Sequence, residues 1–152
     1  MKLRKIALTA VLCLMAAVCF ASSPQIGTWK LNEGKSKLAT KARNTTVVYE
    51  MVGEKIKVTV DGVDAAGKPS HNEWTGNLDG KDYPVTGDPT SDVRSYKKVD
   101  DHTLEISAKK DGKVTLTGKV VVSADGKVRT VTTSGTDSMG MKMENVGVYD
   151  KQ

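Results

Sequence analysis

The chain has 152 residues, 27% of them charged, and a formal net charge of +5. Lys2, Arg4 and Lys5 crowd the first five residues; setting them aside leaves a balance of +2 with the two signs interspersed. That is a solubility pattern, and it excludes the clustered basic stripe of a nucleic-acid binder.

From the N terminus, the basic start is followed by an uncharged run, 6–20, and then by the small residues Ala21, Ser22 and Ser23. This is the order of a cleavable signal peptide, predicted over 1–21 with cleavage after Ala21. The run is shorter than the roughly 20 residues of a spanning helix. Export to the periplasm or beyond is therefore expected, rather than a permanent membrane span. Cys19 as the lipid-modified first residue of a lipoprotein is the alternative, but Ala16-Ala17-Val18 fits that signal poorly. Cys13 and Cys19 are the only cysteines, so residues 22–152 hold no thiol and must draw stability from a core rather than from disulfides.

Residues 22–152 suit one domain. They contain two Trp, four Tyr and no Phe, since Phe20 belongs to the leader. The dominant signal is apolar alternation with a period of two, broken by turn residues every 8–12 positions. It predicts strands over 26–31, 44–52, 55–63, 68–76, 82–85, 93–99, 103–110, 113–123, 127–135 and 142–150. Ile56, Val58 and Val60 share one face. So do Leu104, Ile106 and Ala108, and likewise Val114, Leu116, Val120 and Val122. Strands with one buried face belong to antiparallel sheets. Asp111-Gly112 and Asp125-Gly126 read as type I′ hairpin turns, and Gly53-Glu54, Ala66-Gly67 and Asp79-Gly80 look similar. Only 32–43 leaves room for a turn or two of helix. The stretch 86–92 is a polar loop broken by Pro89. Ten hairpin-linked strands would leave two bare edges unless the sheet closed. The predicted fold is an all-β, up-and-down antiparallel barrel of about ten strands, with the last strand pairing the first. A two-layer sandwich is the alternative.

Gly27-Thr28-Trp29-Lys30-Leu31 resembles the Gly-x-Trp opening of lipocalins and fatty-acid-binding proteins. Asn145-Val146-Gly147-Val148-Tyr149-Asp150-Lys151 resembles the last strand of the ten-stranded fatty-acid-binding barrels. With Gly80-Lys81-Asp82-Tyr83-Pro84-Val85-Thr86-Gly87, the whole chain after the leader is similar to small secreted lipocalin-like proteins of bacteria, a largely uncharacterised group. The resemblance implies a barrel with Trp29 plugging one end. It also exposes departures. Gly147 stands where fatty-acid-binding proteins carry an Arg two residues before the Tyr, so their charge clamp is expected to be missing. Residues 32–43 are too few for a two-helix lid. No basic residue covering Trp29 is recognisable in the sequence.

The candidate site follows from these positions. Tyr49 and Met51 alternate with Val47, and Trp74, Tyr96 and Tyr149 are candidates for the same interior. A cavity lined by aromatic, Met and aliphatic groups suits a small apolar molecule, although the same side chains could instead fill the barrel. Met139, Met141 and Met143 are expected at the cavity rim. Soft thioethers invite a Cu(I) reading, but positions two apart on a strand lie roughly 6.6–6.8 Å apart, which favours a Met-lined hairpin tip. His71 and His102 lack zinc-ligand spacing, no serine-nucleophile motif occurs, and the paired acids read as turn formers. The sequence thus points to a monomeric binding module with no cofactor, no metal and no catalytic residues. An envelope protein acting through loop 86–92 is the second reading, and a hydrolase or isomerase built from dispersed carboxylates the third.

Overall fold

The computed structural model describes residues 23–136 and 139–152. The segment predicted as a leader, with Cys13, Cys19 and the expected cleavage position, lies outside the described residues. Ten strands follow in order: β1 (Gly27–Leu31), β2 (Arg43–Val52), β3 (Lys55–Val63), β4 (Pro69–Gly76), β5 (Tyr83–Thr86), β6 (Val93–Lys98), β7 (Thr103–Lys110), β8 (Lys113–Val122), β9 (Val128–Thr136) and β10 (Lys142–Lys151). The possible helix over 32–43 is a single 3-10 turn, Glu33–Lys35, capped by the Asn32 side chain.

Every strand is antiparallel to its sequence neighbours, and β1 pairs with both β2 and β10. The sheet is therefore a closed barrel, consistent with a lipocalin or fatty-acid-binding-protein-like fold, and the sandwich is excluded. Closure follows from the short links: each forces the next strand back beside the last, and pairing β10 with β1 leaves no bare edge. Among the described residues, no helix is long and apolar enough to cross a membrane.

Asp111 (φ 49°) and Gly112 (φ 75°) both adopt left-handed backbone, as a type I′ turn requires. Asp125-Gly126 differs from expectation. Only Gly126 of the two has positive φ, and its N–H bonds Ser123 O at 2.9 Å. The link is a longer loop, closed where Ser123 N–H donates to Val128 O. Val114 is a second correction. Alternation places it on the buried face, but it is 55% exposed. The register shifts between Ala108 and Lys109, so Val114 pairs with Lys109 while Leu116 pairs with Ala108. An extra residue in one strand turns the side chains beyond it away from the core.

The inward residues form one core, including Trp29, Val47, Tyr49, Val58, Trp74 and Leu104. The barrel has a terminal end, where β1 begins and β10 finishes, and a distal end bearing the β1–β2, β3–β4, β5–β6, β7–β8 and β9–β10 links. Trp29, Val58, Leu104 and Val120 are fully buried toward the terminal end. Toward the distal end, Leu116, Thr133, Met143 and Asn145 share the inward register but are only half-buried.

Candidate functional site

The site begins at Trp29, whose indole N–H donates to Gln25 O at 3.0 Å. Gln25 is itself buried, and its side-chain amide donates to His102 O at 3.1 Å. The segment before β1 thus folds under the barrel and holds Trp29 as a floor. Two cations approach that ring: Lys151 Nζ at 5.2 Å and Arg129 Cζ at 6.0 Å from its centroid. The missing basic cover is therefore present, supplied from β9 and the end of β10.

Arg129 is the residue that motif matching overlooks. On β9 it pairs across to Tyr149 of β10 and Val122 of β8, so it points inward, and it is only 3% exposed. Its guanidinium carbon lies 4.4 Å from the Tyr49 ring centroid and 5.9 Å from that of Tyr149. Nη2 donates to the Tyr49 hydroxyl at 2.7 Å, while the buried Nε and Nη1 have no hydrogen-bond partner among the described residues. Gly147, where the fatty-acid-binding barrels that the sequence resembles carry an Arg, lies under Tyr149; a Cβ there would come within 2.9 Å of Cε2 of that ring. The ring occupies the space, and the guanidinium facing it comes from the neighbouring strand. Gly147 itself offers no charge, as expected, and the cation beside Tyr149 is Arg129 of the neighbouring strand.

The other expected lining residues extend from this point. Tyr49 and Tyr96 meet edge-on at 6.0 Å, Tyr96 and Trp74 at 4.7 Å, and Trp74 and Tyr83 at 5.8 Å. Tyr49, Trp74, Tyr96 and Tyr149 all lie in the interior. Met51 is on the same strand face but 56% exposed, because it sits beside the β2–β3 turn at the terminal end. Met139 and Met141 precede β10 at the distal end and are 78% and 61% exposed; Met143 is half-buried opposite Gly135. Met51 and the three other methionines therefore mark opposite ends of the barrel. His71 faces outward, with Nδ1 2.6 Å from Asp61 Oδ1, and the His102 Nδ1 lies 3.1 Å from Val122 O.

A second buried cation, Arg94, lies nearer the distal end. Its Nη2 donates to Asp88 Oδ2 at 3.0 Å and its Nη1 to Asn72 Oδ1 at 3.3 Å. Burial works against its charge, but Tyr96 and Asp88 more than offset this and hold Arg94 above its ordinary value. Burial also pushes the Tyr49 phenol well up, against the opposing pull of Arg129, and raises Tyr149. The Tyr49 and Tyr149 phenols therefore stay neutral beside Arg129. Among the described residues, two guanidiniums face the interior, and of these only Arg94 has a carboxylate within ion-pair distance.

A concave space also lies on the outside of the barrel. A groove of about 640 Å³ crosses the outer face of β6–β10 between Ser107, Thr117 and Ser134 on one side and Lys97, Glu105 and Lys119 on the other. These outward positions alternate with the inward Ile106, Gly118 and Thr133. The outer groove is lined mainly by Ser, Thr, Lys and Glu and has none of the aromatic groups that mark the interior.

The sequence matches no protein-family model and no curated protein.

Proposed function

We propose that this chain is an exported, non-enzymatic β-barrel binding protein that holds a small apolar molecule, bearing one anionic or acceptor group, in its interior. The single observation behind this reading is Arg129: a buried charge with two unpaired donors and no carboxylate partner among the described residues. Such a group costs several kcal/mol to bury, and unpaired buried polar atoms mark sites where something else completes the bonding. An anion beside Nε and Nη1 would complete it, and Tyr49, Tyr96, Tyr149 and Trp29 supply apolar walls around it. The half-buried inward side chains at the distal end suit an entrance there. Export rests on the leader pattern. The competing reading, a filled core with loops as the working surface, draws support from the ring-to-ring packing of Tyr49, Tyr96 and Trp74.

The test uses two dyes with the same aromatic body, anilinonaphthalene sulfonate and the neutral phenylnaphthylamine. The sulfonate should bind at least about tenfold tighter, the equivalent of one charge-assisted hydrogen bond. Arg129→Met should weaken sulfonate binding and leave phenylnaphthylamine binding within about twofold. If neither dye binds, and native mass spectrometry finds no co-purified small molecule, the filled-core reading replaces this one.

A further inference from the structure

The polar loop between β5 and β6 is tied into the same interior. Asp88 sends its carboxylate inward, where Oδ2 accepts from Arg94 Nη2 at 3.0 Å and from the Ser91 hydroxyl at 2.5 Å. Oδ1 accepts from the Thr90 N–H at 2.8 Å and the Thr90 hydroxyl at 2.7 Å. All four of these donors except Arg94 belong to the loop. The segment 88–91 is thus a self-bonded knuckle, joined to the barrel interior through one ion pair. Ser91 is 2% exposed although it sits in a loop. Gly87 marks where the knuckle leaves β5. Its φ is +79°, and a Cβ there would lie 2.3 Å from His71 O, so the backbone passes too close for any side chain. At the far side, Asp92 N–H donates to Lys109 O at 2.9 Å and Val85 N–H donates to Asp92 O at 3.0 Å.

We infer that loop 87–92 is an anion-released latch: Asp88 stands in for a ligand's negative group on Arg94, and an incoming anion that takes Arg94 frees the knuckle from the distal end. This rests on the binding function proposed above and adds a moving part to it. The carboxylate that Arg94 holds is carried on a loop rather than on a strand. The loop keeps its own hydrogen bonds when the ion pair breaks, so exchanging one anion for another on Arg94 costs the barrel little. Arg129 has no such internal anion among the described residues, so the two cations divide the work: Arg129 is open to the ligand and Arg94 is guarded.

Hydrogen exchange and dye titration test it together, on the parent protein and on Asp88→Asn. Saturating anilinonaphthalene sulfonate should speed exchange of the Val85 and Asp92 amides at least about tenfold in the parent, and Asp88→Asn should bind the sulfonate about tenfold tighter while phenylnaphthylamine changes less than about twofold. Ser91→Ala keeps the charge but loosens the carboxylate, and should move both readouts part of the way. If the sulfonate binds while Val85 and Asp92 exchange as before, or Asp88→Asn gains no affinity, the latch is refuted and the binding function stands. If the sulfonate binds neither protein, both fall.

Discussion

Deleting a single oxygen from the core should be costly here. Tyr49→Phe keeps the ring, so the cation–π contact to Arg129 at 4.4 Å and the edge-on contact to Tyr96 at 6.0 Å survive, and no cavity larger than a hydroxyl forms. It does remove the acceptor that the Arg129 guanidinium meets at 2.7 Å, its one hydrogen bond among the described residues. Tyr49 is 1% exposed and Arg129 3%, so bulk water does not replace the lost partner. A hydrogen bond to a charged group is worth about 1.5–3 kcal/mol, and the stranded donor adds its own desolvation cost. The expected loss is about 2–3 kcal/mol, measured by urea unfolding with an unchanged slope. A double-mutant cycle with Arg129→Met isolates the cause. In the Tyr49→Phe background, removing the guanidinium also removes the uncompensated charge, so the two losses should fall short of additive by at least about 1.5 kcal/mol. A Tyr49→Phe protein within about 0.5 kcal/mol of the parent would refute the claim that Arg129 is buried and under-bonded.

Acid stability and the β7–β8 bulge each yield a further expectation. Burial works against the Asp88 carboxylate, but hydrogen bonds from Ser91 and Thr90 and the charge of Arg94 outweigh it, holding the group below its ordinary value. A folded value below the unfolded one means stability that is fully present above about pH 3.9 and is lost as pH falls through the folded value. Unfolding measured from neutral to strongly acidic pH should show that limb, and it should be shallower in Asp88→Asn; an identical limb would contradict the ion pair. Val114→Thr, on the exposed side of the bulge, should change stability by less than about 0.5 kcal/mol. Val120→Ala, fully buried on the same strand, should lose about 2 kcal/mol. Equal losses at the two positions would mean that Val114 packs inward after all.

Most of the barrel was legible because period-two alternation and turn chemistry are local signals. The Lys55–Val63 and Thr103–Lys110 strands match their predicted bounds, and the β1–β10 closure followed from ten short-linked strands needing an edge partner. Misreadings arose where one residue breaks the period. Alternation alone puts Val114 with Leu116, whereas the bulge at Ala108/Lys109 is set by pairing across the sheet, which no single strand encodes. The site was half legible in the same way. Tyr49 alternates with Val47 and Met51 on an apolar strand face, while Trp74, Tyr96 and Tyr149 could be assigned inward only as large aromatic side chains on strands. Arg129 carried a signal too, since it alternates with Val131 on β9 and faces Val122 across the hairpin. A charged residue on an apolar face reads as noise until burial shows that it is not solvated.

Gly147 carries no charge, yet a guanidinium still faces the Tyr149 ring, for a reason built into the architecture. In a closed sheet every strand contributes to one interior, so a guanidinium can reach the same Tyr ring from β9 as from β10. The interior of this chain holds two guanidiniums, Arg129 and Arg94, and provides one carboxylate for the two among the described residues. A core selected for stability alone would replace Arg129 with an apolar side chain of similar volume, since buried charges stabilise poorly compared with hydrophobic packing. Keeping it, with two donors unbonded among the described residues, runs against that expectation. Local violations of this kind are where function is to be sought, and that makes the anionic dye, rather than the neutral one, the informative first ligand.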